Sequence, residues 1–163
     1  SIKMNNIWIV DTPIGQLGIY SDKEHLHTLQ FMDTNENNNI ITSSSKPSEI
    51  AKKVSEQMHE YFHGTRKTFN LPLYLNVPPF YKKVLNEVSR IKHGQVASYM
   101  DIAINCGNKN SVRAVGSANA NNPIPIIIPC HRVISSNGAI GGYGGGLEKK
   151  MFLLNHEGVH ITF

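Results

Sequence analysis

The chain has 163 residues, of which 40% are hydrophobic, and a formal net charge of +4. This length allows one domain or two small ones, and no apolar run approaches the roughly 18 residues that a membrane-spanning helix needs. Because there are only two cysteines, Cys106 and Cys130, and no signal-peptide pattern at 1–5, we exclude a disulfide framework and a Cys-x-x-Cys zinc site and expect a cytoplasmic protein.

The N-terminal half is predicted to form a small antiparallel sheet followed by a helix. An Asn- and Ser-rich stretch at 33–47 is typical of a surface loop. Ser48 can cap a helix that ends at Gly64, since apolar residues recur there at helical spacing. This half contains no recognisable catalytic motif. The predicted strands are 7–10, 17–20 and 26–32.

Four histidines of this half are the only candidates for metal ligands. His59 and His63 lie four residues apart on the predicted helix, and His25 and His27 are candidate partners. No carboxylate or thiolate supports them, and aromatic residues are interleaved with the helical pair. We therefore favour exposed surface histidines and expect no metal.

The C-terminal half is predicted to be helical at first. Ser98 and Asp101 form a capping-box pattern at the start of a short helix, Gly107 lies in a turn, and Asn110 can cap a second helix. Two short helices around a glycine turn fit a helix-turn-helix motif, although any helical bundle contains such pairs. The predicted segments are an extended connector at 69–79, a helix at 80–91, and the two short helices at 98–106 and 111–120.

The two halves differ in charge. Residues 1–78 contain seven Lys and Arg against eight Asp and Glu, a net charge of −1, whereas residues 79–163 contain nine against four, a net charge of +5. A basic half suits a polyanion such as nucleic acid, but many basic surfaces bind nothing. We predict two domains, 1–78 and 79–163.

Cys130 is the best candidate for the chemistry of the chain. It lies in the sequence Pro129–Arg132, after an Asn-Pro turn and an apolar run. A free thiol with a pKa near ~8.5 is mostly protonated at neutral pH, so a nucleophilic cysteine needs a base or cation beside it. His131 and Arg132 are predicted to lower its pKa. In an extended segment, however, the side chains of Cys130 and His131 would point to opposite faces.

Several short blocks surround this cysteine in a fixed order and resemble the O6-alkylguanine-DNA alkyltransferase family, the methylated-DNA-protein-cysteine methyltransferases. The resemblance runs from about Pro79 to Gly158, roughly half of the chain. The blocks are Arg113–Gly116, Asn122–Pro125, Ile128–Val133, Gly141–Leu147 and Leu153–Gly158.

The resemblance implies an α+β fold and a DNA-repair activity. The N-terminal part would be a ribonuclease-H-like α/β domain with a small antiparallel sheet, and the C-terminal part a helix-turn-helix, winged-helix-like domain. A monomer would bind double-stranded DNA through the minor groove and flip the damaged base. It would then move a methyl or other alkyl group irreversibly from O6 of guanine, and also O4 of thymine, to Cys130. No cofactor is implied.

The resemblance also assigns the catalytic roles. A water would join the Cys130 sulfur to His131, and Glu157 would orient the imidazole and stabilise its cation. Tyr99 would crowd the phosphate and protonate the departing guanine. Arg113 would enter the base stack and fill the place of the flipped nucleotide.

The base pocket is implied by the same comparison. Main-chain carbonyls of Cys130 and Val133 would accept hydrogen bonds from the guanine amino group, the Gly144 N–H would lie near O6, and Tyr143 would form a wall. Asn119 stands where many relatives have an apolar residue, so tolerance for bulky alkyl groups could differ. The further residues expected to contact DNA are Ser98, Asn122 and Arg132, and the further pocket residue is Pro125.

Two other classes of function remain open from the sequence. A thiol hydrolase could use Cys130 and a histidine over many turnovers, with water releasing an acyl intermediate. A helix-turn-helix regulator could bind DNA without any chemistry. Replacement of Cys130 separates these classes, because only the regulator would keep its activity.

Overall fold

The computed structural model describes residues 7–32 and 46–161. The chain divides into two compact units, Ser1–Asn76 and Val77–Phe163. Of the loop predicted at 33–47, positions 33–45 lie outside the described residues. None of the described helices is both long and apolar enough to cross a membrane.

The first unit is a three-stranded antiparallel sheet with one helix, and its elements are β1 (Ile7–Thr12), β2 (Gly15–Ser21), β3 (Leu26–Phe31) and α1 (Glu49–Phe62). Strand β2 lies between β1 and β3, and Gly15, with φ of 109°, starts β2 directly after the tight turn from β1. The Ser48 side chain accepts a hydrogen bond from the Ala51 N–H at 3.0 Å, which confirms the predicted cap of the helix α1. This helix packs on β1 and β2 through buried residues such as Met58.

The second unit contains the helix-turn-helix. Ser98 and Asp101 form the predicted capping box, with two reciprocal hydrogen bonds of 2.9 Å. A short parallel pairing of Ala97 with Val133 joins the start of the helical pair to the segment after Cys130. The elements are α2 (Pro79–Val88), β4 (Ala97–Ser98), α3 (Tyr99–Asn105), α4 (Val112–Ala120), β5 (Val133–Ile134) and α5 (Leu147–His156).

Two local predictions in this unit are wrong. The N-cap of α4 is Ser111 and not Asn110. The Ser111 hydroxyl makes no capping hydrogen bond and instead donates to the Asn108 carbonyl at 2.6 Å, which closes the preceding turn. The segment Cys130–Arg132 is one turn of 3-10 helix and not an extended strand. In this turn the side chains of Cys130 and His131 are not held on opposite faces as they would be in a strand.

The histidines of the first unit make local contacts. His27 Nε2 lies 2.6 Å from Asp22 Oδ2, and the His63 ring lies 3.2 Å from the His59 carbonyl. Within residues 7–32 and 46–161, no three His, Cys, Asp or Glu side chains are grouped closely enough to hold a metal ion.

Candidate active site

A braced turn presents Cys130 at the start of the 3-10 helix. The Asn122 side chain donates to the Ile128 carbonyl at 2.8 Å and accepts from the Ile124 N–H at 3.0 Å, so one amide spans the whole turn. Ile126 has a φ of 73°, which is a strained conformation for a β-branched residue. Such strain persists where the surrounding structure over-determines it, and it is typical of functional sites. Cys130 is 5% exposed.

His131 and Glu157 form a buried pair beside the cysteine. Glu157 is the C-cap of α5, and its Oε2 lies 2.8 Å from His131 Nε2, with both side chains fully buried. An ionised carboxylate only accepts hydrogen bonds, so Nε2 must carry the ring proton. In the neutral imidazole, Nδ1 then has a free lone pair, and it is a buried atom with no hydrogen-bond partner in the described chain. His131 is thus built as a base whose proton-accepting atom is Nδ1.

The protonation states of this pair follow from burial and hydrogen bonding. Burial lowers the pKa of His131 and outweighs the opposing effect of Glu157. Burial alone would raise the pKa of Glu157, but hydrogen bonds from His131 and Arg132 hold this pKa well below its usual range. At neutral pH the site therefore contains a neutral imidazole and an ionised carboxylate.

Arg132 lies inside the second unit. Its Nε and one terminal nitrogen donate to the two carboxylate oxygens of Glu157 at 2.7 and 3.0 Å, and the other terminal nitrogen donates to the Ile91 carbonyl at 2.7 Å. The residue is 6% exposed. This placement contradicts the predicted contact with DNA, because every guanidinium nitrogen is committed to the protein. Arg132 instead compensates the buried charge of Glu157.

The predicted depression of the Cys130 pKa is also wrong. Burial raises the pKa of the thiol, while a hydrogen bond from the Asn122 side chain and the charge of Lys150 lower it to a smaller extent. The two expected activators are not available, because Arg132 is neutralised by Glu157 and His131 is neutral. The resting site therefore holds a thiol, and a base must remove its proton during the reaction.

Lys150 is a residue of the site that the sequence analysis missed. Its side chain is fully buried, and Nζ donates to the Val133 carbonyl at 2.6 Å and to the Gly142 carbonyl at 2.9 Å. It thus ties the segment after Cys130 to the glycine-rich loop. Burial lowers the pKa of Lys150 to about 8.

The spacing of apolar residues on α5 indicates that Lys150 is buried. The helical spacing of Leu147, Met151 and Leu154 predicts a buried stripe on α5. The structure differs, because Leu147 is 44% exposed and the buried face contains Lys150, Leu153 and Leu154. Position 150 lies three and four residues before these leucines and hence on their face of the helix. A lysine there required a polar partner, which the sequence does not identify.

Tyr99 and Asn119 lie together at the edge of the glycine-rich loop. Burial raises the pKa of Tyr99, and its phenol is close enough to the Gly142 main chain and to the Asn119 amide for both to affect that pKa. Asn119 Nδ2 donates to the Cys130 carbonyl at 3.2 Å. A Cβ on Gly141, whose φ is 74°, would lie 3.2 Å from the Tyr99 ring, so a side chain there would displace the phenol.

The remaining predicted pocket residues are Tyr143, Gly144 and Pro125. The Tyr143 hydroxyl is buried, and its pKa is raised well above the usual value by burial first and then by the negative charge that Cys130, when it is ionised, and Glu157 place nearby. Gly144 lies close to the C-terminal end of α4, since a Cβ there would lie 3.5 Å from the Ala120 carbonyl. Pro125 is buried beside Ile124 in the braced turn.

Two predicted DNA contacts lie on the surface of the second unit, apart from the buried cluster. Arg113 is the second residue of α4 and its side chain is exposed. Ser98 is half-buried, and its hydroxyl accepts the Asp101 N–H as the cap of α3. The structure brings together Cys130, His131, Glu157, Asn119, Asn122 and Tyr99 by direct contacts or electrostatic proximity.

We expect the stability of the fold to fall as the pH drops through about 6.5, the ordinary pKa of histidine. The folded pKa of His131 lies below the unfolded one, so its contribution to stability is complete above that pH and is lost as the pH falls toward the folded value. Below about 4.3, protonation of the unfolded-state Glu157 adds to the loss. Urea unfolding of wild type and His131→Gln between pH 8 and 5 measures this, and equal pH slopes for the two proteins would contradict it.

Comparison with known proteins matches both parts of the chain to one family. The family model for the ribonuclease-like domain of 6-O-methylguanine DNA methyltransferase matches residues 8–75, and the model for its DNA binding domain matches residues 79–159. The constitutive methylated-DNA–protein-cysteine methyltransferase of Bacillus subtilis (strain 168) is 40% identical over 94% of this chain and 96% of its own length. The methylated-DNA–protein-cysteine methyltransferase of Methanosarcina acetivorans is 40% identical over 92% of this chain and 96% of its own length.

Solved structures give the same assignment. Mycobacterium tuberculosis OGT in complex with DNA superposes with a TM-score of 0.84 at 34% identity, over 93% of this chain and 92% of that one. An O6-methylguanine DNA methyltransferase from Methanococcus jannaschii superposes with a TM-score of 0.72 at 33% identity, over 95% of each chain. Both the sequence and the fold therefore place this chain in the O6-methylguanine DNA methyltransferase family.

Proposed function

We propose that this protein is a methylated-DNA–protein-cysteine methyltransferase that repairs DNA by direct reversal, moving an alkyl group from O6 of guanine to Cys130. The observation that carries this function is the buried Cys130 thiol next to the neutral His131, whose Nε2 is anchored on Glu157 while its buried Nδ1 has no partner in the described chain. DNA is the partner, and the relative from M. tuberculosis was solved in complex with it.

The reaction follows from these protonation states. His131 Nδ1 takes the proton of the Cys130 thiol, directly or through one water, and the imidazolium that forms is stabilised by the Glu157 carboxylate. The sulfur attacks the alkyl carbon, so an S–C bond forms while the C–O6 bond breaks. The electron pair of that bond goes to the guanine, which regains a proton from the Tyr99 phenol as it leaves. The His131 imidazolium then returns its proton to the Tyr99 phenolate through water, so the products are a thioether on Cys130 and unmodified guanine, with both side chains in their starting states.

The chemistry ends after one turnover because a thioether is a poor leaving group. The buried position of Cys130, which is 5% exposed, adds to this because it limits the access of water to the alkylated sulfur. The product is therefore expected to be permanent. A thiol hydrolase would need an acyl intermediate and a route for water to release it.

DNA is proposed to bind to the second unit. This part contains most of the positive charge of the chain, and α4 is the second helix of the helix-turn-helix, with Arg113 exposed near its start. We infer minor-groove binding by α4, insertion of Arg113 in place of the flipped nucleotide, and action as a monomer. We assign alkyl transfer to residues 79–163 and leave residues 1–78 as a separate α/β domain. The cytoplasmic location stays a prediction.

The fate of the alkyl group tests the proposed function. Duplex DNA with a radiolabelled O6-methylguanine is mixed with the protein, and the label is followed into protein, DNA and free methanol. We expect all transferred label to be bound to protein and to map to the peptide of Cys130, not to that of Cys106. Label released as methanol would assign a hydrolase, and label that stays on the DNA would assign a regulator.

Arg113→Ala should slow repair of duplex DNA more than repair of single strands. Extrusion of a base from a duplex costs a few kcal/mol of unstacking, and a group that fills the vacated place offsets part of that cost. Single-turnover rates on duplex O6-methylguanine, on the same strand alone and on free O6-benzylguanine measure the effect. Lys109→Ala, an exposed cation just before α4, serves as the control. Equal slowing by Arg113→Ala on all three substrates would assign this residue to something other than base flipping.

A further inference from the structure

The side chain of Asn119 has one unused hydrogen-bonding atom inside the site. The residue lies in the last turn of α4 and is 6% exposed. Its Nδ2 donates to the Cys130 carbonyl, but its Oδ1 is a buried acceptor with no hydrogen-bond partner in the described chain. Buried polar atoms of folded proteins nearly always have a partner. An orphan acceptor within reach of the reactive cysteine therefore points to a donor that arrives with the substrate.

The main-chain carbonyls that the family resemblance assigns to the guanine amino group are already engaged. The Cys130 carbonyl accepts from the Val133 N–H and from Asn119 Nδ2, which uses both of its lone pairs. The Val133 carbonyl accepts from the buried Lys150 ammonium at 2.6 Å, which occupies one of its two lone pairs. Asn119 Oδ1 is the acceptor of this group that has no partner in the described chain, and it belongs to the same amide that donates to the Cys130 carbonyl.

We infer that Asn119 Oδ1 accepts a hydrogen bond from the exocyclic 2-amino group of the flipped guanine and that this contact determines the preference of the site for guanine. The inference rests on the proposed alkyl transfer. Thymine has no amino group at the corresponding edge, so an O4-alkylthymine would leave Oδ1 unpaired. A site that hydrogen-bonds a substrate group discriminates strongly against analogues without it, because its own buried atom loses its partner.

The test removes the amino group from the substrate and the acceptor from the protein. Single-turnover transfer rates are measured on two duplexes of one sequence that contain either O6-methylguanine or O6-methylhypoxanthine, which differs only in lacking the 2-amino group. Wild type should prefer methylguanine by roughly tenfold or more, since a buried acceptor left unsatisfied is costly. Asn119→Leu, which keeps the volume and removes the acceptor, should bring the two rates to within about threefold. Asn121→Leu is the matched control, because Asn121 is exposed and donates to Ser117 outside the pocket, and it should keep the preference.

Asn119→Leu also removes the hydrogen bond to the Cys130 carbonyl, which could then accept the guanine amino group itself. A second measurement addresses this case. The crystal structure of Cys130→Ser bound to duplex O6-methylguanine retains Asn119 and should show guanine N2 within about 2.7–3.2 Å of Oδ1. An amino group bonded to a main-chain carbonyl instead, with Oδ1 on the Tyr99 phenol, would overturn the inference. Equal slowing of Asn119→Leu on both duplexes would also overturn it. Failure of wild type to take the methyl group from methylguanine would refute the proposed function rather than the role of Asn119.

Discussion

Cys130→Ala is expected to abolish alkyl transfer on every substrate, because the sulfur is the atom to which the new bond forms. Affinity for duplex DNA should remain close to that of wild type, since Cys130 is 5% exposed and the exposed Arg113, the proposed DNA contact, lies on α4. The measurements are single-turnover transfer from duplex O6-methylguanine and titration of the same duplex in a binding assay.

Cys106→Ala is the matched control for this variant. Cys106 is the other free cysteine, and it is buried at the C-cap of α3, where burial raises its pKa. Its replacement should leave the transfer rate near that of wild type. Residual transfer in Cys130→Ala that disappears in the double variant would contradict the assignment, because it would identify Cys106 as a second acceptor.

Glu157→Gln should damage both the fold and the reaction. The carboxylate accepts from His131 and twice from Arg132, and the amide would leave the Arg132 cation uncompensated in the interior. Breaking a buried ion pair by removing one partner typically costs about 3–5 kcal/mol of unfolding free energy. The amide could also hold the wrong tautomer of His131, so transfer should slow by about 10²–10⁴-fold.

Urea unfolding and single-turnover rates below the unfolding transition separate the two effects of this change. Glu148→Gln is the matched control, because Glu148 lies in the first turn of the same helix and is exposed. Its loss should cost no more than about 1 kcal/mol, through the interaction with the helix dipole. A Glu157→Gln protein as stable and as fast as Glu148→Gln would show that the buried pair neither supports the fold nor orients the base.

The features that the sequence predicted correctly depend on residues close together in the chain. Ser98 and Asp101 satisfy each other across three residues, and Ser48 caps α1 through the N–H of Ala51, also three residues away. The three strands follow from runs of β-prone residues separated by turn residues. Such patterns can be predicted from the sequence because their hydrogen bonds join residues within one turn of the chain.

The features that the sequence did not predict depend on contacts across the fold. Arg132 is two residues from Cys130 in the sequence, but its role is set by Glu157, 25 positions away, and by Ile91, 41 positions away. Lys150 reaches the Val133 carbonyl across 17 positions. The motif therefore indicated which residues lie near Cys130, whereas burial and hydrogen-bond partners show that Arg132 is committed to the interior and that the thiol is protonated at rest.

The raised pKa of Cys130 has a consequence for the chemistry. A thiolate at rest would react with small electrophiles in the absence of DNA, whereas a buried thiol needs His131 to take its proton. Iodoacetamide should therefore modify Cys130 no faster than a free thiol at pH 7. The reactivity of the site would depend on the substrate that positions its alkyl carbon beside the sulfur.

The number of methyl groups accepted per protein molecule tests the central claim most directly. Purified protein is mixed with a tenfold excess of duplex O6-methylguanine, and intact-mass and peptide mass spectrometry follow the methyl groups on the protein while the DNA is analysed for restored guanine. The alkyl-transfer mechanism requires one methyl per protein, on Cys130, and restored guanine equal to the amount of protein. Restoration of guanine beyond one equivalent, or without a methylated Cys130, would contradict it.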